Sequence, residues 1–200
     1  MTHYKNTRIL SRLLLIGCSL AAISCSSVSE RRIASQDDDS KPSWASLDKS
    51  LVAKDGMLMI LGFKELDADA KISAAFRMAD NSSRTELSKL IHNQFSTIFQ
   101  NLEEGVGDEG EMARFYSSEV SKTSLRELRV TSRYWEKVQS FDRDGEKTYR
   151  LRVYSLAEIP ESKLKKLIHE TMNKDSIPAE VKKQVLDHFE NEIKSFQTSN

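Results

Sequence analysis

Two hundred residues carrying 30 Lys plus Arg against 30 Asp plus Glu, 38% hydrophobic and with only 3 Pro, describe a globular chain rather than a disordered or collagenous one. So even a charge balance argues against a nucleic-acid binder working through a strong overall field. The length fits one ordinary domain with attachments, large enough to bury a core.

The amino terminus reads as an export signal. Lys5, Arg8 and Arg12 precede Leu13 to Ile23, an uncharged stretch of eleven residues. As a helix that stretch covers about 16 Å, well short of the roughly 30 Å of a bilayer core, so a permanent span is a poor reading. Two cysteines follow small residues. Cys18 follows Leu15-Ile16-Gly17 but has a short apolar run before it, whereas Cys25 follows Ala22-Ile23-Ser24 and has the full run. Cys25 is therefore the preferred lipidation site, with residues 1–24 as the lipoprotein signal peptide. The alternative is an ordinary signal peptide that leaves Cys25 a free thiol. Cleavage before Cys25 removes Cys18 and leaves a chain with one cysteine and no internal disulfide, held together by its core. Several acyl chains anchor stably where a single one is marginal.

Residues 25–41 are polar and Ser-rich, too poor in apolar surface to fold alone, and are expected to be a flexible tether. The run Asp37-Asp38-Asp39 lacks the spaced ligands and turn glycine of a calcium loop, so it reads as solvated chain. Pro42-Ser43-Trp44 opens the folded part, because a large aromatic must dock on something. Asp55-Gly56 is a turn signal ahead of an apolar strand, Met57 to Leu66. From about Ala68 to Glu104, Ile72, Ala75, Phe76, Ala79, Ser83, Leu87, Leu90, Ile91, Phe95, Ile98 and Leu102 recur at steps of three and four, the stripe of one long helix, with a bend expected near Asn81-Ser82-Ser83. Three glycines between Gly105 and Gly110 end it. A shorter helix from Glu111 to Ser124 turns Met112, Phe115, Tyr116 and Val120 inward. Period-two alternation from Leu128 to Val138, the turn Asp142-Arg143-Asp144-Gly145, and a return strand around Tyr149 to Val153 make a hairpin. Pro160 and Pro178 each start a helix. Segregated runs of strand and helix define an α+β class: a small, mainly antiparallel three-stranded sheet packed on a long helix, with carboxy-terminal helices.

Pro42-x-Trp44, the apolar strand ending in Gly62, the helix signature Ala79-x-x-x-Ser83-Arg84-x-x-Leu87-Ser88-Lys89-x-Ile91 and the aromatic-bearing hairpin together resemble the LPP-twenty-like bacterial lipoprotein family, related to the FlgT amino-terminal domain. Leu61-Gly62-Phe63 departs from the family's tendency to a second glycine. The resemblance implies an envelope lipoprotein with a small α+β domain, here residues 42–175, and no known catalytic residues. The helix in residues 176–200 lies outside the pattern.

Chemistry is sparse. His92, His169 and His188 sit on separate expected helices without a partner at ligand spacing, so neither metal nor cofactor is expected. No phosphate-binding glycine loop and no Gly-x-Ser-x-Gly elbow occurs. More suggestive is a basic stripe on the hairpin. Arg126, Arg129, Arg133 and Lys137 on one strand, and Lys147, Arg150 and Arg152 on the other, lie beside Trp135 and would suit an anionic ligand, unless cross-strand acids neutralise them. A second candidate surface is the last helix, whose Val181, Val185, Phe189, Ile193 and Phe196 either pack on the domain or face a partner. The functional expectation is a non-enzymatic lipoprotein, anchored by Cys25 in the outer membrane, facing the periplasm and binding another envelope protein, without nucleic acid or metal. The alternatives are a protein or enzyme for cell-wall or lipid ligands, and a flagellar or motor-associated factor.

Overall fold

The computed structural model describes residues 30–36, 40–47, 49–100, 109–141, 144–173 and 177–197. The expected signal peptide, Cys25, the Asp37 to Asp39 run and the glycine-rich break at Gly105 to Asp108 lie outside them. The class is α+β as expected, but the sheet has five strands rather than three: β1 (Arg31–Ser35), β2 (Leu51–Lys54), β3 (Met57–Asp67), β4 (Arg129–Phe141) and β5 (Lys147–Pro160). Their order is β1-β4-β5-β3-β2, and every pair is antiparallel.

Strand β3 pairs with β5 over its whole length, from Met57 opposite Pro160 to Asp67 opposite Arg150. Residues facing each other across a pair share a face, so Leu58, Ile60, Gly62 and Leu66 stand with Ile159, Ala157, Ser155 and Leu151. All four helices pack on this side: α1 (Ile72–Gln100), α2 (Glu109–Glu127), α3 (Glu161–Met172) and α4 (Ala179–Ser195). The opposite side carries Leu61, Phe63, Tyr134, Glu136, Tyr154 and Leu156, and we call it the open face.

Most of the apolar stripe read in α1 is buried: Ala75, Ala79, Ser83, Leu87, Leu90, Ile91, Phe95 and Ile98 are covered, Ile72 and Phe76 are half-buried, and Leu102 lies outside the described residues. No break occurs at Asn81 to Ser83, where the helix continues and the Ser83 hydroxyl donates to the Asp80 carbonyl at 2.8 Å. Small side chains are needed there because the sheet comes closest at Gly62. A Cβ on Gly62 would fall inside contact distance of the Ala79 carbonyl oxygen and 2.8 Å from the Ser83 nitrogen. In α2, Tyr116 and Val120 are buried as expected, but Phe115 is 54% exposed and lies edge-on to Tyr116.

Helix α4, for which the sequence left both core and docking face open, is core: Val181, Val185, Phe189 and Ile193 join the main cluster with Leu58, Ile60 and Phe95. Phe189 is 2% exposed, 5.2 Å from the Phe95 ring, and Phe196 packs at the margin while its carbonyl accepts from Ala53 N–H at 2.9 Å. The helix cannot show that stripe to a partner without opening the core, so the boundary at 175/176 separates no structural unit. The expected tether is likewise not free along its length. Arg31–Ser35 is an edge strand on β4, and Trp44, in a single helical turn (Ser43–Ser46), packs against Ala45, Tyr134 and Tyr154 on the open face.

Candidate functional site

The hairpin arginines do not form one stripe. Strand β4 carries a bulge at Thr131, whose hydroxyl donates to the Leu156 carbonyl at 3.4 Å. An inserted residue resets the alternation of side chains. Arg129 therefore faces Glu158 on the open face, whereas Arg133 faces Ser155 on the helix face. Arg150 and Arg152, opposite Val138 and Glu136, are on the open face too, while Trp135 and Lys137 are on the helix side.

Three of the arginines, Arg133, Arg150 and Arg152, are neutralised. Arg133 makes a two-pronged contact to Asp80 of α1, with its Nε at 3.1 Å and Nη2 at 2.8 Å from the carboxylate, and this holds its pKa above the ordinary guanidinium value. Arg150 pairs with Asp67 directly across the strands. Arg152 donates to both oxygens of Glu30 at 2.6 Å and to Glu65 at 2.7 Å. The Arg152 bond keeps the Glu30 carboxyl below the usual range. Trp135 is half-buried beside Leu151 and Val153. Arg129 is exposed and has no ion-pair partner among the described residues.

The densest polar cluster lies where the amino-terminal segment crosses the open face, and sequence reasoning missed it. Tyr154 donates from its hydroxyl to the Glu136 carboxylate at 2.9 Å, Lys41 donates to that hydroxyl at 2.7 Å, and Lys41 Nζ is also 3.3 Å from Glu136. The ammonium lies 4.0 Å from the centre of the Tyr154 ring, and Arg32 donates to the Tyr134 hydroxyl at 3.2 Å. Burial, then the bond to Glu136 and its negative charge, push the Tyr154 hydroxyl well above the ordinary tyrosine range. Such a proton is a poor catalytic acid at neutral pH. The arrangement is a clasp: Lys41, Arg32 and Glu30 of the amino-terminal segment each find a partner on the sheet. In the sequence Glu136 is one of the acids that could pair with the hairpin cations across strands, and its alternation with the buried Tyr134 and Val138 is the only sign of its own burial.

Elsewhere the surface offers open grooves. One of about 550 Å³ is lined by Met57, Glu127, Arg129, Glu158, Lys163 and Lys166, with Lys163 3.4 Å from Glu127. Another, of about 440 Å³, runs beside Lys41, Leu61, Phe63 and Tyr154. The His92 ring contacts Ser117 at 3.1 Å, but that hydroxyl donates to the Arg114 carbonyl, so the pair ties α1 to α2. His188 donates from Nε2 to Gln94 at 2.6 Å and ties α4 to α1. Among the described residues no group of three His, Cys, Asp or Glu side chains is placed to hold a metal ion, and no helix is long and apolar enough to cross a membrane. No protein-family profile matches the chain, and no curated protein matches it.

Proposed function

We propose that this chain is a bacterial envelope lipoprotein of the LPP-twenty-like type, acylated on Cys25, held in the outer membrane facing the periplasm, and acting as a non-enzymatic binding module for another envelope protein. The observation that carries the reading is the cationic segment and apolar run that end at Cys25, after Ala22-Ile23-Ser24. Ser26 rather than an acid after the cysteine favours release to the outer membrane, by analogy with lipoprotein sorting. The clasp supports a structural rather than a catalytic use of the most polar cluster, because every group in it is spent on holding the segment next to the anchor.

The partner surface is the Arg129 groove. Arg129, opposite Glu158, lies at one end of β4, and Arg31 sits opposite Gln139 near the other. At about 3.3 Å per residue, the ten steps from Arg129 to Gln139 cover about 33 Å, so the groove points away from the anchored end. Labelling cells with a lipid precursor should mark the chain, and Cys25→Ala should abolish the mark. In the same cells, crosslinking should recover an envelope protein that Arg129→Glu loses. A label that survives Cys25→Ala but disappears in Cys18→Ala would move the anchor, and an unlabelled chain would end the lipoprotein reading.

A further inference from the structure

The strand register gathers six side chains at the end of the sheet where the described chain begins. Gln139 is opposite Tyr149, Phe141 opposite Lys147, Arg31 opposite Gln139, and Lys137 opposite Leu151, so all six of Arg31, Lys137, Gln139, Phe141, Lys147 and Tyr149 share the helix-bearing face. Helix α1 starts at Ile72 and packs on Leu151 and Val153, while of the rows beyond Leu151 Phe141, Lys147 and Tyr149 are exposed and Gln139 is half-buried. Phe141 is 40% and Tyr149 45% exposed; with Ile33 of β1 they make up half of the six large hydrophobic residues exposed among those described. Arg31, Lys137 and Lys147 have no ion-pair partner among the described residues. Among the described residues the acids nearest in sequence are Glu30 and Glu136, whose carboxylates are held on the open face by Arg152 and by Lys41 with Tyr154, and Asp144 and Glu146 in the hairpin turn, which are not free.

Aromatic rings interleaved with unpaired cations are the chemistry of a bilayer interface, where the ring sits at headgroup depth and the cation meets lipid phosphate. The length of chain ahead of β1 fits the same place. Five residue steps join Cys25 to Glu30 and reach about 17 Å fully extended. Glu30 is fixed by its two bonds to Arg152, and Tyr149 stands two strands from Arg31, about 10 Å away. A lipid on Cys25 would therefore hold this end of the sheet at the membrane surface rather than at the end of a long tether.

We propose that this end of the helix-bearing face, centred on Phe141 and Tyr149 with Arg31, Lys137 and Lys147, lies against anionic phospholipid headgroups of the bilayer that holds the anchor. The proposal rests on the lipoprotein reading above and adds an orientation: the hairpin tip faces the membrane and the Arg129 groove faces the periplasm.

The test uses the full chain isolated from envelopes and reconstituted in vesicles of phosphatidylethanolamine and phosphatidylglycerol. The added emission of a Tyr149→Trp variant, over the background of Trp44 and Trp135, should be quenched by lipid brominated near the glycerol backbone, while that of Phe63→Trp, on the open face, should not. Replacing the cations together, Arg31→Gln, Lys137→Gln and Lys147→Gln, should weaken the quenching while the lipid label is retained. Equal quenching of both reporters, or none at Tyr149→Trp in a chain that stays on the vesicles, overturns the proposal. So does shielding of Tyr149→Trp from a water-soluble quencher only when envelope proteins are added, which would mean a protein occupant. If the chain carries no lipid label, the anchoring reading fails separately and flotation decides the surface. Binding to the anionic vesicles but not to phosphatidylcholine, reduced at least about tenfold by the triple change, upholds it. Absence of flotation overturns it.

Discussion

Gly62 sets how closely α1 approaches the sheet, because the backbone at Ala79 and Ser83 occupies the space a side chain would need. Backbone cannot swing aside as a long side chain can, so Gly62→Ala should push the helix off the sheet and cost about 2–3 kcal/mol or more in chemical unfolding. An unchanged midpoint would show that α1 rides higher than described. Tyr154 gives the clasp a pH signature. Its folded pKa lies above the ordinary tyrosine value of about 10, so its contribution to stability is fully present below that value and is lost as the pH rises through the folded one. The denaturation midpoint should therefore fall more steeply above about pH 10 in the native chain than in Tyr154→Phe. Equal slopes would remove the clasp proton from the account. Thr131 is the residue whose effect on the site was least legible in the sequence. Its bulge puts Arg129 and Arg133 on opposite faces, and no composition or spacing rule marks a bulge at an ordinary Thr between Val130 and Ser132.

Among the elements, those that bury a regular stripe were readable and those that only complete a backbone ladder were not. The α1 stripe and the β4–β5 hairpin followed from period, since their apolar residues form the core. β1 has the sequence RRIAS with four of its five residues exposed, and it pairs with β4 through main-chain bonds that leave no hydrophobic pattern. β2, only four residues long, was hidden by its size, although the turn that makes it a hairpin with β3 was visible at Asp55-Gly56. Both turn residues adopt positive φ, 52° and 74°, as the tight hairpin requires. For α4 the stripe was legible but not its destination, because an amphipathic face looks the same whether its own core or a partner receives it. Its burial makes a direct prediction. Phe189→Ala should cost about 3–5 kcal/mol, enough to lower the thermal midpoint by roughly 10 °C in a chain of this length. Truncation after Asp175 should lower it further. A truncated chain that melts unchanged would return α4 to the surface.

At the scale of the whole molecule, one sheet joins two ends of different character. The end near Glu30 has the clasped amino-terminal segment, exposed Phe141 and Tyr149 and unpaired cations, and the other has the Arg129 groove between β4, β5 and α3. The segment ahead of Pro42 is thus a working part of the domain, fixing where the chain leaves the sheet. An anchor at Cys25 would then set the domain's orientation as well as its location. The mass of the mature amino-terminal peptide, taken from chain purified out of the envelope fraction, tests this most directly. The account predicts a peptide beginning at Cys25 and heavier by a diacylglyceryl group and an amide-linked acyl chain; a peptide beginning elsewhere, or Cys25 with a free thiol, would contradict it.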